Sequence, residues 1–273
     1  MNLLEKILNI PTSVISLVLI LTLTIPMFYP LGLPITITPM VRATYASIEQ
    51  LPEGSVVLFD YGLTPASVGE TGCGGRAMIY HMLSKGLKII FIAGDVRSPM
   101  FVEKDVTPIA ESLGKEYGTD WVHLGYYAGA ETGRAAVLAD FSKLFPKDHR
   151  GNSLQDLELL KDINNYEGIS MIAVVTTGSD VLPNWIRQAN TPYDIPIIGS
   201  VDGASFSIAV PYFPTQISGI LNALRGGAEY EALMKRPGEA ISGMDSISLS
   251  FLYVILLLVV TNVALFLKKD GGS

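Results

Sequence analysis

Hydrophobic and polar positions divide this chain into two long apolar ends and a middle in which short apolar runs alternate with amphipathic stretches. Five of the short runs are continuous in their apolar character, which is typical of parallel strands buried on both faces. They are Ser55–Phe59, Leu87–Ala93, Trp121–Leu124, Ser170–Thr176 and Ile195–Gly199. The pattern therefore predicts five strands in a mainly parallel sheet.

Between these runs, apolar residues repeat at helical spacing. The predicted helices are Gly75–Lys85, one through Val106–Leu113, Arg134–Phe145, Val181–Ala189 and Thr215–Leu224. A polar excursion, Lys147–Glu167, interrupts the alternation and is predicted to contain a short helix at Leu154–Asp162. Alternating strands and helices predict a three-layer α/β domain, flavodoxin-like or Rossmann-like.

Both apolar ends are long enough to predict a transmembrane helix at each end of the chain. Neither Ile7–Val41 nor Ser246–Leu267 contains a charged side chain, and a bilayer core requires about 20 apolar residues in a helix. We predict spans at Pro11–Tyr29 and Ser246–Leu267, with Leu31–Pro39 as an extended exit strap. No small-residue cleavage site follows the first span, so a retained anchor is preferred to a cleaved signal peptide.

Two spans divide the chain into an anchor and strap at residues 1–40, an α/β domain at 41–240, and a second span with a short tail at 241–273. They place both termini on one side of the membrane and the domain on the other. Lys6 and the Lys268–Lys269 pair favour cytoplasmic termini by the positive-inside rule. Basic residues at Arg42 and Lys235–Arg236 oppose that bias, and we expect an extracytoplasmic domain.

Charge and cysteine content exclude some classes of partner and site. Of 19 Lys and Arg, 16 lie within residues 42–245, and so do 24 of 26 Asp and Glu, which leaves this region with a net charge of −8. Such a surface repels a phosphate backbone, so nucleic acid is excluded as a partner. The single cysteine, Cys73, excludes an intrachain disulfide and a zinc site built on several thiolates.

Small and polar residues cluster where each predicted strand ends. In open parallel sheets, ligands bind outside the carboxyl ends of the strands, and five loops are predicted to share that edge. The ligand-binding candidates in these loops are Asp60, Asp95, Thr177, Ser179 and Asp202. For each of them the alternative interpretation is a helix cap or a residue of a tight turn.

Recognised catalytic and cofactor motifs are absent from the sequence. Gly72–Gly75 lacks the full dinucleotide fingerprint, and no phosphate-binding loop or nucleophile elbow occurs. Cys73 lies at a predicted helix start, where a thiol pKa falls, but none of the three histidines is placed to act as its base. An aspartate cluster at positions 60, 95 and 202 has the oxygen ligands that suit Mg²⁺, yet no metal ligand or cofactor is assigned.

Several stretches of the chain resemble an uncharacterised prokaryotic family of membrane proteins. They are Tyr29–Pro34, Leu51–Ser55, Phe59–Tyr61, Gly125–Tyr126, Phe145–Pro146, Leu224–Glu231 and Gly243–Asp245. The resemblance extends over nearly the whole chain and implies a transmembrane helix at each end with an α/β domain between. It implies no catalytic residue.

Two classes of function remain open from the sequence. The first is a membrane-anchored binding or assembly module, which is expected to form homo-oligomers because tethering at both ends concentrates copies at the bilayer. The alternative is a membrane-bound hydrolase or transferase that uses the Asp-rich strand ends, with Mg²⁺ as a possible cofactor. We prefer the first because the sequence contains no catalytic motif.

Overall fold

A computed structural model describes residues 9–270, with the side chains of 268–270 excepted. The chain forms two compact units. One comprises the terminal segments up to Pro34 and from Pro237, and the other is Ile35–Arg236. Lys6 and the side chains of Lys268 and Lys269 lie outside the described part, so the charge argument for orientation rests on the sequence.

The Ile35–Arg236 unit is built on a six-stranded sheet. The strands are β1 Val56–Tyr61, β2 Lys88–Ala93, β3 Trp121–Tyr126, β4 Met171–Thr176, β5 Ile197–Val201 and β6 Gly219–Asn222. Their order is β3-β2-β1-β4-β5-β6, and every neighbouring pair is parallel. This is the doubly wound order of Rossmann-like sheets and differs from the flavodoxin-like order. The five predicted strands are confirmed, but the sheet has six.

The sixth strand replaces the predicted helix Thr215–Leu224, so that prediction is wrong. Gly219–Asn222 pairs in parallel with β5. Ile220 and Leu221 belong to apolar clusters on opposite faces of the sheet, as successive strand residues must. Apolar residues three and four apart thus fitted a helix pattern, although the segment is a strand buried on both faces. An added Cβ at Gly219 would lie 2.4 Å from Thr44 Oγ1, which shows how closely this strand approaches a neighbouring helix.

The α-helices of at least four residues are α1 Thr12–Phe28, α2 Pro39–Glu49, α3 Gly72–Ser84, α4 Pro99–Ser112, α5 Ala130–Ala139, α6 Phe141–Leu144, α7 Val181–Trp185, α8 Gly203–Ala209, α9 Ala223–Leu233 and α10 Glu239–Asp270. Several differ from prediction. The helix expected through Arg134–Phe145 is split at Asp140, whose carboxylate accepts from the Ser142 amide and begins α6. In the excursion, 3₁₀ turns at Leu154–Asp156 and Glu158–Leu160 replace the predicted helix. A π-helical turn, Ile186–Asn190, continues α7.

Helices cover both faces of the sheet, which gives the predicted three layers. Val56 and Leu58 of β1 pack on one face with residues of α5 to α8. Val57 and Phe59 pack on the other face with residues of α2, α3, α4 and α9. All six residues of β1 are buried. Side chains of this central strand therefore reach the interior of both layers.

The terminal unit contains α1 and α10, which pack along each other. Within the described residues, one helix is long and apolar enough to cross a membrane, Glu239–Leu267. It begins earlier than the predicted span at Ser246. The apolar helix Thr12–Phe28 has 17 residues, about 25 Å at 1.5 Å per residue, which is shorter than a bilayer core of about 30 Å. Of the two predicted spans, only the second therefore corresponds, within the described residues, to a helix of sufficient length and apolar composition.

Asp245 fixes the exit strap to α10 within the terminal unit. Its carboxylate accepts hydrogen bonds from the backbone amides of Leu31, Gly32 and Leu33, at 2.8, 2.9 and 3.1 Å. The side chain is 2% exposed, and buried charge is tolerated because the three amides satisfy it. Two of the stretches that carry the family resemblance, Tyr29–Pro34 and Gly243–Asp245, are joined by this contact.

Candidate functional site

A cleft opens at the carboxyl ends of β1 and β4, where the strand order reverses. Its volume is about 450 Å³, and its walls come from the loops after β1 to β4 and from the first turn of α5. We call it the switch-point cleft. Among its lining residues are Asp60, Asp95, Gly129, Arg134 and Thr177. Open α/β sheets bind ligands at this position, and the volume lies within the usual range for small-molecule sites.

Asp60 lies in the wall of the cleft and is 2% exposed. It points to the same face as Leu58 because alternate strand residues share a face. Its Oδ2 atom accepts hydrogen bonds from Tyr127 Oη at 2.7 Å and Trp185 Nε1 at 2.9 Å. Arg134 Nε lies 3.4 Å from the same oxygen. We call these four residues the Asp60 cluster.

Tyr127 is held as a neutral donor in this cluster. Burial raises the pKa of the Tyr127 hydroxyl well above its usual value, and the neighbouring charge of Asp60 raises it further. A protonated hydroxyl can donate to the carboxylate at any physiological pH. Tyr127, Trp185 and Arg134 all approach the same oxygen of the Asp60 carboxylate.

Arg134 is the unusual member of the cluster. The residue is 4% exposed, and its Nε and Nη1 donors have no hydrogen-bond acceptor among the described residues. The guanidinium carbon lies 5.7 Å from the Tyr127 ring centre and 5.6 Å from that of Trp185. Buried donors without acceptors are rare in native proteins. An arginine of this kind in the wall of a cleft is a candidate for binding a ligand.

The N-terminus of α5 also borders the cleft, through Gly129 and Ala130. Gly129 is the N-cap residue and has φ 96°, and no side chain caps the helix. Ala130 follows with φ 44°, a left-handed conformation that alanine rarely adopts. The amides of the first helical turn have no acceptor within the helix, so this end of α5 presents uncapped N–H groups.

The five sequence candidates have different positions. Asp95 and Thr177 line the cleft with Asp60, whereas Ser179 is an exposed residue of the same loop as Thr177. Asp202 caps α8, since its Oδ1 accepts from the Ser205 amide at 3.0 Å. For Asp202 the cap interpretation therefore describes the observed contact.

Asp95 is engaged by its own loop. Arg97 donates to its carboxylate through the backbone amide, Nε and Nη2, at 2.9, 2.9 and 2.7 Å. These side-chain hydrogen bonds are the main reason that the pKa of Asp95 is lowered. The residue stays ionised and paired at the mouth of the cleft.

The predicted aspartate cluster is not assembled. Asp60 contacts Arg134, Asp95 contacts Arg97, and Asp202 caps a helix. Between residues 9 and 267, no group of three or more His, Cys, Asp or Glu is arranged to hold a metal ion. The observed positions give the aspartates separate structural partners.

The glycines at Gly72–Gly75 serve packing. All four residues are buried at the start of α3. An added Cβ at Gly74 would lie 2.5 Å from Ser200 Oγ, and one at Gly75 would lie 2.7 Å from Val175 Cγ2. The helix thus approaches β4 and β5 too closely for any larger side chain, and these glycines are not among the residues that line the cleft.

Each of the three histidines contacts residues other than Cys73. His81 Nδ1 and Nε2 lie 2.6 Å from Tyr230 Oη and 2.8 Å from Glu49 Oε1. Burial lowers the pKa of His81. His123 is fully buried, and its ring centre lies 4.4 Å from that of His149, with the two planes tilted by 37°.

Comparison with known proteins identifies no family for this chain. No protein-family model matches the chain, and no curated protein matches it. The candidate site is therefore defined by its own residues.

Arg134, Tyr127 and Trp185 were not identified from the sequence. One signal was present for the arginine. The buried face of α5 is formed by Gly133, Arg134, Val137 and Leu138, so a charged residue occupies an apolar position of an amphipathic helix. A charged residue at such a position requires a partner, and here the nearest one is Asp60.

Proposed function

We propose that this chain is a membrane-anchored binding protein whose α/β domain holds a small polar molecule in the switch-point cleft. The observation that carries the proposal is Arg134, a buried arginine in the cleft wall whose Nε and Nη1 lack acceptors among the described residues. The cleft borders this buried guanidinium, so a bound molecule with a negative group would supply it with a second counter-charge beside Asp60.

Binding is preferred to hydrolysis or group transfer because the cleft carboxylates are already engaged. A general base must be free to accept a proton from the substrate. Asp60 instead accepts two hydrogen bonds and faces Arg134, and Asp95 accepts three from Arg97. These contacts suit fixed recognition groups better than proton-transfer groups.

Anchoring by two spans is part of the proposal. The pairing of α1 with α10 supports it, since Tyr253 Oη donates to the Ile15 carbonyl at 3.0 Å. Apolar side chains on both helices remain exposed, such as Leu17 at 56% and Leu252 at 61%, as expected of surfaces that face lipid.

We place the domain on the extracytoplasmic side and propose that it forms homo-oligomers, both on sequence grounds. Protease added to sealed right-side-out membranes is expected to digest the domain. Full protection would contradict the orientation. A single copy by native mass spectrometry in detergent would contradict the oligomer.

Ligand binding is tested by equilibrium dialysis of the full chain in detergent against a defined mixture of sugars, amino acids, carboxylates, sugar phosphates and nucleotides. Thr177→Trp places a large side chain in the cleft, and Gln155→Trp is the matched control at an exposed position of the excursion. We expect one or more compounds to be retained by the wild type and the control and lost by Thr177→Trp. Retention by none, or equally by all three proteins, would contradict the proposal.

A further inference from the structure

The start of α5 combines two groups of hydrogen-bond donors at the cleft. The first is the set of backbone amides of residues 130–132, which lack acceptors within the helix and are not capped by a side chain. The second is the guanidinium of Arg134, four residues after Ala130 and thus on the same side of the helix. Both belong to one rigid element, so their spacing does not depend on loop movement.

The position usually used for phosphate in this fold is closed. In dinucleotide-binding sheets the glycine-rich turn after β1 supports the phosphate at the following helix. Here the corresponding helix start, Gly72–Gly75, is buried against Ser200 and Val175. The helix that follows β3 instead presents its open N-terminus to the cleft.

Three carboxylates near Arg134 have partners of their own, and a fourth, Glu131 in the first turn of α5, is paired with Arg187 at 2.8 Å. Asp60 faces the arginine at 3.4 Å but interacts with Nε without a hydrogen bond. Asp95 is compensated by Arg97. Asp180, at the rim, is exposed and accepts from Asn184 at 3.1 Å. The helix N-terminus adds roughly half a positive charge at the same place, so a small anionic group is favoured there.

We propose that the ligand carries an oxyanion, a carboxylate or a phosphate group, which binds between the first-turn amides of α5 and the guanidinium of Arg134. This inference rests on the proposed binding function and names the chemical class of its ligand. A charge-assisted hydrogen bond from the guanidinium suits either kind of oxyanion. Because Gly94 has no side chain, space is left beside Arg134 and Tyr127. An added Cβ there would lie 3.5 Å from Arg134 Nη2 and 2.8 Å from Tyr127 Oη.

Inorganic phosphate and acetate are the probes. The thermal unfolding midpoint of the full chain in detergent is measured against either anion, with sodium chloride at equal ionic strength as reference. We expect a saturable rise in the midpoint with at least one of them, because a ligand of the native state stabilises it by mass action. A response to phosphate alone or to acetate alone identifies the group, whereas no response to either overturns the assignment.

Ala130 offers a matched pair of variants. Ala130→Asp places a carboxylate at the open helix start, and Ala130→Asn places a neutral side chain of nearly the same shape there. Both residues tolerate the left-handed conformation. We expect Ala130→Asp to weaken the apparent anion affinity at least tenfold and Ala130→Asn to retain it within about threefold, since only the aspartate competes for the positive site. Equal affinity in the two variants would overturn the location.

Arg134→Gln tests the guanidinium. If this variant folds cooperatively, we expect it to weaken the apparent anion affinity at least tenfold. If it does not fold, the Ala130 pair still tests the location.

The dialysis experiment separates the binding function from the oxyanion assignment. If the wild type retains only neutral or cationic compounds that Thr177→Trp loses, the binding function stands and the oxyanion is wrong. If Thr177→Trp changes nothing, the cleft itself is wrong.

Discussion

Two buried clusters of similar composition lie on opposite faces of the sheet, and comparing them separates a structural ion pair from a candidate binding group. The Asp60 cluster occupies one face. On the other face, Asp105 accepts from Tyr61 Oη at 2.7 Å and from Arg76 Nη1 at 3.3 Å, and we call these three residues the Asp105 cluster. Each cluster contains a carboxylate, a tyrosine hydroxyl at 2.7 Å and an arginine.

The difference lies in the arginines. Arg76 hydrogen-bonds to Asp105 and also donates to Cys73 Sγ at 3.4 Å, and its side chain is 18% exposed. Arg134 has a similar carboxylate neighbour, yet its Nε and Nη1 have no acceptor among the described residues and its side chain is 4% exposed. A carboxylate nearby therefore does not by itself satisfy an arginine. The geometry of approach decides whether donors remain for a ligand.

The largest effect is expected from Asp60→Ala. It would leave the buried Arg134 without its counter-charge and both Tyr127 and Trp185 without an acceptor. Removing one partner of a buried ion pair costs about 3–5 kcal/mol. Urea unfolding of the full chain measures this, with Asp202→Ala as control, because losing the α8 cap should cost only about 1 kcal/mol. Equal losses in the two variants would show that the contacts of Asp60 stabilise the fold no more than a helix cap does.

Asp105→Ala should cost less than Asp60→Ala, about 1–3 kcal/mol. Tyr61 would lose its acceptor, but Arg76 is partly exposed and can be hydrated. The same urea experiment measures the loss, and the midpoint shift with phosphate or acetate should be unchanged because Asp105 does not line the cleft. A loss of the anion response in this variant would break the distinction between the clusters.

Tyr61 and Tyr127 should respond to alkaline pH in the same way in the two clusters. Burial and then the charge of Asp105 raise the pKa of Tyr61 well above its usual value, as burial and Asp60 do for Tyr127. Above pH 10 the unfolded chain releases these protons while the folded chain keeps them, so stability falls as pH rises. Each tyrosine should contribute about 1.4 kcal/mol per pH unit.

Tyr61→Phe and Tyr127→Phe should each flatten this alkaline loss by the same amount, which is measured from unfolding free energies between pH 9 and 11.5. An unchanged slope in either variant would show that the corresponding hydroxyl ionises in the folded state.

Sequence patterns predicted the strands well because buried parallel strands are continuous apolar runs. They failed at β6, where apolar residues from Ile217 to Leu224 also fit a helical face. They missed α2, because Pro39 follows an apolar strap and reads as its continuation, although proline is well placed at a helix start. The spacing of apolar residues indicates which residues are buried. For Gly219–Asn222, it is the pairing with β5 that determines a strand conformation.

The edge of the sheet that carries the cleft was predicted from topology, since parallel strands end together. The residues that matter there were only partly predicted. Asp60 lies near the end of β1 and Asp95 two residues after β2, whereas Arg134 lines the cleft from within a helix and Trp185, also helical, contacts Asp60. Local sequence gives no direct sign that Trp185 donates to a residue 125 positions earlier.

The most direct test of the difference between the two arginines is their own NMR signal. The full chain, labelled with ¹⁵N-arginine in detergent, would be titrated with phosphate and then acetate, and the Nε–Hε resonances assigned from Arg134→Lys and Arg76→Lys. We expect the Arg134 resonance to shift and saturate with at least one anion while that of Arg76 stays in place. An Arg134 resonance that moves with neither anion, or that moves only in step with Arg76, would contradict the assignment of Arg134 as the ligand-binding group.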